Sequence, residues 1–170
     1  MDAVVVRSER SADIAAVHAV NRAAFETSTE AYLVDAVRQQ ANPIVSLVAD
    51  DGGSIVGHIL FSPVTLTGHE HVKIMGLAPM AVLPTHQRRG IGSALVRAGL
   101  VGCTQLGYAA VIVLGHSEYY PRFGFVPASR FGIGCEYDVP DEFFLALELE
   151  PAVLVGKSGT IRYHPAFANA

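Results

Sequence analysis

Val82-Leu83-Pro84-Thr85-His86-Gln87-Arg88-Arg89-Gly90-Ile91-Gly92-Ser93-Ala94-Leu95 is the stretch on which the reading of this chain turns. An apolar strand, Ile74 to Leu83, enters a proline-marked turn. A Gln-x-x-Gly-x-Gly sequence follows, and a helix opens directly after it. A helix N-terminus carries unpaired backbone N–H groups and the positive end of the helix dipole. Glycines at 90 and 92 let a large anion approach the backbone without meeting a Cβ. Arg88 and Arg89 add positive charge at the same place. A bare Gly-x-Gly serves equally well as a packing turn. The succession of strand, Gln, two Arg, two Gly and Ser favours a pyrophosphate seat, formed by Arg88, Arg89, Gly90, Ile91, Gly92 and Ser93.

Working outward, Gly90 to Leu106 reads as a helix closed by Gly107. Apolar residues lie on nearly all its sides, which predicts deep burial. Ala109 to Leu114 is continuously apolar, as in a strand covered on both faces. The segment from 74 to 114 is therefore predicted to be a right-handed βαβ unit. Upstream, Ala3 to Val6 reads as a first strand. Ser11 is placed to cap a helix carrying Ile14, Val17, Ala24 and Phe25. Thr29 is placed to cap a second helix, which Asn42-Pro43 ends. Asp50-Asp51-Gly52-Gly53 joins two strands, Ile44 to Ala49 and Ser54 to Phe61, in a hairpin. The next long strand spans His71 to Leu83. A short helix near 117–122 and strands at Phe143 to Leu149 and Ile133 to Tyr137 complete the pattern. Pro79 is awkward inside a central strand and predicts a bulge or local splaying.

Two motifs carry a family resemblance. Gln87-Arg88-Arg89-Gly90-Ile91-Gly92 is similar to the (Gln/Arg)-x-x-Gly-x-(Gly/Ala) motif of the GNAT superfamily of acetyl-coenzyme A-dependent N-acetyltransferases. Tyr120-Pro121-Arg122-Phe123-Gly124-Phe125 resembles that family's Tyr-x-x-x-Gly-Phe segment. The longer run Val113 to Phe125, with Ala24-Phe25-Glu26 and Glu30-Ala31-Tyr32-Leu33-Val34, resembles a bacterial subgroup of predicted N-acetyltransferases. The resemblance implies one α/β domain over residues 1–170. Its mixed, mostly antiparallel sheet holds a central parallel βαβ unit, is splayed at the acetyl-coenzyme A site and carries helices on both faces.

The resemblance also implies roles. Acetyl-coenzyme A is the co-substrate, its diphosphate on Arg88 to Ser93. The pantetheine arm pairs with backbone groups of Met80, Ala81 and Val82, one N–H polarising the acetyl carbonyl as in an oxyanion hole. A plain core strand would read the same. The Tyr120 hydroxyl protonates the departing thiolate; the alternative is an aromatic packing residue, with Tyr119 in the role if the register shifts by one. The general base stays open among Glu26, Glu30, His116, Glu118 and water. Many N-terminal amine acetyltransferases of the family carry Asn five residues before the tyrosine. Gly115 stands there, which argues against a protein N-terminus as acceptor. The implied reaction is direct transfer to an amine of a small molecule or peptide in a ternary complex. A non-catalytic acyl-coenzyme A-binding module would keep the same fold and coenzyme motif.

Composition narrows the setting. The 170 residues are 51% hydrophobic and 16% charged, with net charge −4. This suits one globular domain and excludes a disordered chain. No basic stripe points to nucleic acid. No apolar run reaches bilayer length, and the N-terminus lacks signal-peptide features. Cys103 and Cys135 form no disulfide framework, so a reducing cytoplasm is the expected compartment. Cys103, inside an apolar helix, reads as a small core residue. His69-Glu70-His71 lacks a third ligand of suitable spacing, so no metal is expected. A nucleotide-binding reading is weak: Leu95 replaces the third Rossmann glycine, and no Gly-Lys-Ser/Thr occurs. Monomer and homodimer remain equally open.

Overall fold

The structure, a computed structural model, describes residues 4–169; the start of the expected first strand at Ala3 lies outside them. β1 spans Val5–Ser8. α1 (Ile14–Ala24) follows a 3-10 turn at Ser11–Asp13, and α2 spans Thr29–Gln40. The expected cap at Ser11 is replaced. The Asp13 carboxylate accepts the Arg10 N–H at 2.8 Å and is itself gripped by the Arg7 guanidinium at 2.7 and 3.0 Å. Ser28 takes the cap position of α2, and Thr29 is its first residue.

β2 (Val45–Asp51) and β3 (Ser54–Leu66) form the expected hairpin, with Gly52 and Gly53 at φ +59° and +100°. Both angles are needed by the tight turn that matches strand twist. β4 spans Ile74–Val82, starting later than expected because residues 67–73 form a turn. α3 (Ile91–Gln105) then returns the chain to β5 (Ala110–Leu114), parallel to β4. β6 (Val126–Pro127), β7 (Ile133–Cys135), β8 (Phe144–Glu148) and β9 (Gly159–Arg162) complete the sheet. Its order is β1-β2-β3-β4-β5-β8-β6, with β9 paired to the far end of β3 and to β7. The β4–β5 and β7–β9 pairs are parallel and the others antiparallel.

The period of two along each strand assigns two faces. Ile59, Phe61, Met75, Leu77, Val111 and Val113 pack under α3 with Leu95, Val96 and Cys103. Val48 and Leu60 point the other way, onto Val17 of α1 and Val34 and Val37 of α2. Helices thus cover both faces. α3 is less enclosed than its composition predicts: Val101 is 56% and Leu106 43% exposed, so only one side is buried. Against that side the fit is close, since a Cβ on Gly99 would overlap the Phe61 ring. Among the described residues no helix is long and apolar enough to cross a membrane.

The sheet opens in one place. β4–β5 pairing runs from Ile74↔Ala110 to Leu77↔Val113 and stops, while β4 continues to Val82 bonded only to β3. At the same point Ala78 and Pro79 lie between the pairs Leu77↔Phe61 and Met80↔Ile59, opposite the single residue Leu60. This is a bulge at the expected proline. It turns β4 away from β5 and leaves main-chain groups after Leu77 without a strand partner on that side.

Candidate functional site

Beyond β4 the chain makes a 3-10 turn at Pro84–His86 and reaches α3 through two left-handed residues, Arg88 (φ +64°) and Gly90 (φ +80°). A Cβ on Gly90 would meet nothing within 4 Å, so glycine serves the backbone angle there. The Gln87 Nε2 donates to the Val82 carbonyl at 3.1 Å and closes the turn onto β4. The Ala94 N–H bonds the Gly90 carbonyl at 3.0 Å. The N–H groups of Ile91, Gly92 and Ser93 precede that first helical bond and are left free by the helix.

These groups border a cleft of about 470 Å³ lined by Met80, Val82, His86, Gln87, Arg88, Gly90, Ile91, Gly92, Ser93, Tyr119 and Arg122. Most of the sequence-predicted coenzyme residues therefore share one recess. Three do not line it. Ala81 pairs with His58 and is buried on the other face of the sheet. Arg89 is exposed beside the turn. Tyr120 lies behind Tyr119, only 7% exposed, packed edge-on against Tyr119 and Phe125. Its ring occupies the space a Cβ on Gly115 would need, so the absent side chain at 115 is what admits it. Burial, with a smaller contribution from Tyr119, pushes the Tyr120 phenol up to about 12.

Tyr119 occupies the cleft wall. Its hydroxyl is 3.0 Å from the Ser93 Oγ, and a Cβ on Gly92 would come within 3.2 Å of it. Arg122 stacks on its ring at 4.4 Å and donates from Nε to its carbonyl at 2.8 Å. Arg122 and His86 also line the cleft, beyond the residues expected from the sequence. Arg122 had a signal, since it lies in the 3-10 turn Tyr120–Phe123 three residues after Tyr119, the cap of that turn, which puts both side chains on one side. His86 is held by Asp51 at 3.2 Å across the β2–β3 hairpin, a contact with no local signature.

The open base candidates fall into two groups. Glu26 is exposed just after α1, and Glu30 in the first turn of α2 has one buried oxygen with no partner. His116 and Glu118 are exposed along a second trough, of about 630 Å³, which also takes in Tyr119, Arg122, Glu142 and Phe143. Cys103 is fully buried and its thiol is pushed up to about 12 by burial. His69 and His71 have ring centres 6.2 Å apart, and neither lines the cleft.

Residues 5–128 match the family model described as the acetyltransferase (GNAT) domain. The chain belongs to the GNAT family. The GNAT resemblance extends to whole proteins. The uncharacterized N-acetyltransferase YhbS of Escherichia coli K12 is 34% identical over 165 residues, covering 96% of this chain and 98% of YhbS. The crystal structure of Escherichia coli YhbS in complex with CoA superposes with a TM-score of 0.93 at 32% identity, covering 99% of this chain and 93% of that one. A GNAT acetyltransferase of Brucella melitensis in complex with acetyl-CoA gives 0.80 at 34% identity, covering 98% and 99%.

Proposed function

We propose that this GNAT chain moves an acetyl group from acetyl-coenzyme A to the amine of a small molecule or peptide, with both substrates bound together. The observation that carries this reading is the meeting of the α3 N-terminus with the break between β4 and β5. The residues suit the coenzyme. The turn at Gly90 holds no side chain that would block an anion, and the free N–H groups of Ile91 to Ser93 face it with Arg88 and Arg122. Past Leu77, β4 offers main-chain groups to an extended amide-bearing arm, as an added strand would use them. The bound co-substrate supplies an acetyl group activated as a thioester.

The chain's own residues then divide the work. Arg88 and Arg122 balance the diphosphate charge while Gly90 to Ser93 donate to it; Arg89, exposed beside the turn, adds long-range attraction. Backbone N–H groups at Met80 and Val82, the members of the expected Met80–Val82 segment that line the cleft, orient and polarise the carbonyl. The amine nitrogen forms its bond to the acetyl carbon as the C–S bond breaks, the electron pair staying on sulfur. The ammonium gives up two protons in all, one ending on the thiol and one in solvent. Tyr120 is the acid in this reading: its raised phenol keeps the proton at neutral pH. Tyr119 is the alternative, favoured by the place of its hydroxyl on the cleft wall. The experiment is thiol release from acetyl-coenzyme A over a panel of amines, run beside calorimetric coenzyme A binding. Thiol release that depends on an added amine supports acetyl transfer; coenzyme binding with no release for any amine supports a binding module instead.

A further inference from the structure

The β5–β8 ladder ends at Leu114↔Phe144, and the Gly115 N–H then bonds the Phe143 carbonyl at 2.9 Å. Leu114 follows Ala110 and Ile112 onto the sheet face turned away from α3. Here two large apolar side chains stay uncovered, Leu114 at 38% and Phe143 at 37% exposed. With Gly115, His116, Val139 and Pro140 they line an open hollow of about 270 Å³. Among the described residues its only titratable side chain is His116.

This hollow adjoins a trough that in turn adjoins the coenzyme cleft. Hollow and trough share His116 and Phe143; trough and cleft share Tyr119 and Arg122. The trough carries two carboxylates, Glu118 and Glu142. Among the described residues neither has a salt bridge or side-chain hydrogen bond, whereas Asp141, next to Glu142, accepts from the Ser129 hydroxyl at 3.0 Å. The one cation in the trough, Arg122, is anchored on Tyr119 and also lines the coenzyme cleft.

Resting on acetyl transfer as the reaction, we infer that the acceptor is a primary amine bearing an apolar group about the size of a phenyl ring. Its ammonium sits beside Glu118 and Glu142, and its apolar group fills the hollow at Leu114, Val139, Pro140 and Phe143. The charge pattern selects this occupant. A longer acyl chain would use the hollow and gain nothing from two carboxylates. A polyamine would use the carboxylates and leave the hollow empty. An acidic acceptor would be repelled by both Glu118 and Glu142. Size agrees, since a closed apolar cavity of about 150 Å³ holds benzene. Transfer forms the N–C bond and breaks the C–S bond, and the two protons leaving the ammonium go to thiol and solvent.

The experiment measures thiol release at saturating acetyl-coenzyme A with ethylamine, butylamine, hexylamine, 2-phenylethylamine and spermidine. A fully buried methylene is worth about fourfold in affinity, so an open hollow should give roughly twofold to threefold per methylene in kcat/KM. On that scale 2-phenylethylamine should exceed ethylamine by about tenfold or more. Glu118→Gln and Glu142→Gln should each raise KM for 2-phenylethylamine by a few-fold, the size expected for exposed charges. Val139→Phe should fill the hollow and cut the ratio of 2-phenylethylamine to ethylamine turnover severalfold. It should also weaken calorimetric binding of 2-phenylethylamine to the coenzyme A-bound protein. Equal kcat/KM along the series, or preference for spermidine, overturns the inference while leaving acetyl transfer standing. So does a Val139→Phe effect confined to hexanoyl-coenzyme A, which would assign the hollow to the acyl chain. No coenzyme A binding, together with no thiol release from acetyl-coenzyme A for any amine, removes the acetyl-transfer reading, and this inference falls with it.

Discussion

Tyr119 and Tyr120 are adjacent in sequence and differ in almost every physical respect. One stands on the cleft wall with its hydroxyl on Ser93; the other is packed among aromatic rings with its proton held to about pH 12. Successive residues of a 3-10 turn point about a third of a revolution apart, so a motif match fixes the pair but not which ring meets the cleft. Tyr120→Phe keeps the packing ring and loses only the hydroxyl. If that hydroxyl protonates the leaving sulfur, turnover should fall by roughly 10²-fold, near the lower end for general acids, with coenzyme affinity retained. Tyr119→Phe should do the reverse, loosening coenzyme A by about twofold to tenfold, as for one hydrogen bond, with turnover kept. Steady-state kinetics with calorimetry separates them, and an exchange of the two phenotypes would move the acid to Tyr119. The glycines of the seat differ in a parallel way. Gly90→Ala strains a left-handed backbone with open space around it and should cost about 1 kcal/mol of stability in urea unfolding. Gly92→Val drives a branched side chain toward the Tyr119 hydroxyl and Met80, and should abolish measurable coenzyme A binding in a folded protein. Unchanged affinity in Gly92→Val would remove the coenzyme from this cleft.

Elements with strong periodicity were legible: the hairpin at Gly52-Gly53, both N-terminal helices, the bulge at Pro79 and the buried β5 all follow from residue patterns. β6 and β9 were not. Val126-Pro127 and Gly159–Arg162 are too short to show alternation, and their partners, β8, β3 and β7, lie far away in sequence. Nor did alternation reveal that β3 buries a histidine. His58 is fully enclosed; Asn21 Nδ2 approaches its Nδ1 at 3.2 Å and Ser46 Oγ lies 2.9 Å from Nε2. Since Asn21 donates, Nδ1 accepts and Nε2 carries the proton toward Ser46. Glu9 lies 3.9 Å from Nε2, and Arg38 bridges Glu9 to Asp35. Burial, helped by Arg38, lowers the imidazole to about 3. The unfolded chain protonates near 6.5, so His58 contributes its full stability above that pH. The contribution drains as pH falls toward about 3, with a slope of about 1.4 kcal/mol per pH unit in between. Urea midpoints between pH 6.5 and 4 should therefore fall steeply in the natural protein and more gently in His58→Gln. Matching slopes would assign acid instability to other groups. Asp13, held to about 2 by Arg7, would act only lower, as pH falls below about 4.

At the scale of the molecule, the sequence made the βαβ unit legible but not the insertion of β8 between β5 and β6, because that order depends on contacts the chain makes only when folded. The arrangement has a kinetic consequence. α3 and the cleft at its N-terminus occupy one face of the sheet, Leu114 and the apolar hollow turn toward the other, and the trough at Tyr119 and Arg122 lies between cleft and hollow. Two substrates held in these separate recesses need not take turns. A covalent relay would need a thiolate beside one of them, and neither cysteine supplies one. Cys103 is fully buried on the sheet-facing side of α3, its thiol pushed up to about 12. Cys135 lies on β7 beside β9, its thiol also raised by burial, outside the cleft lining. Coenzyme A should therefore bind without the acceptor; at about 100 times its dissociation constant it should add about 2.7 kcal/mol of stability, or roughly 5–10 °C in Tm for a domain of this size. Initial rates with both substrates varied should give intersecting double-reciprocal lines, and Cys103→Ala and Cys135→Ser should keep that pattern. Parallel lines with an acyl adduct trapped on either cysteine would show transfer through the protein and overturn the ternary complex.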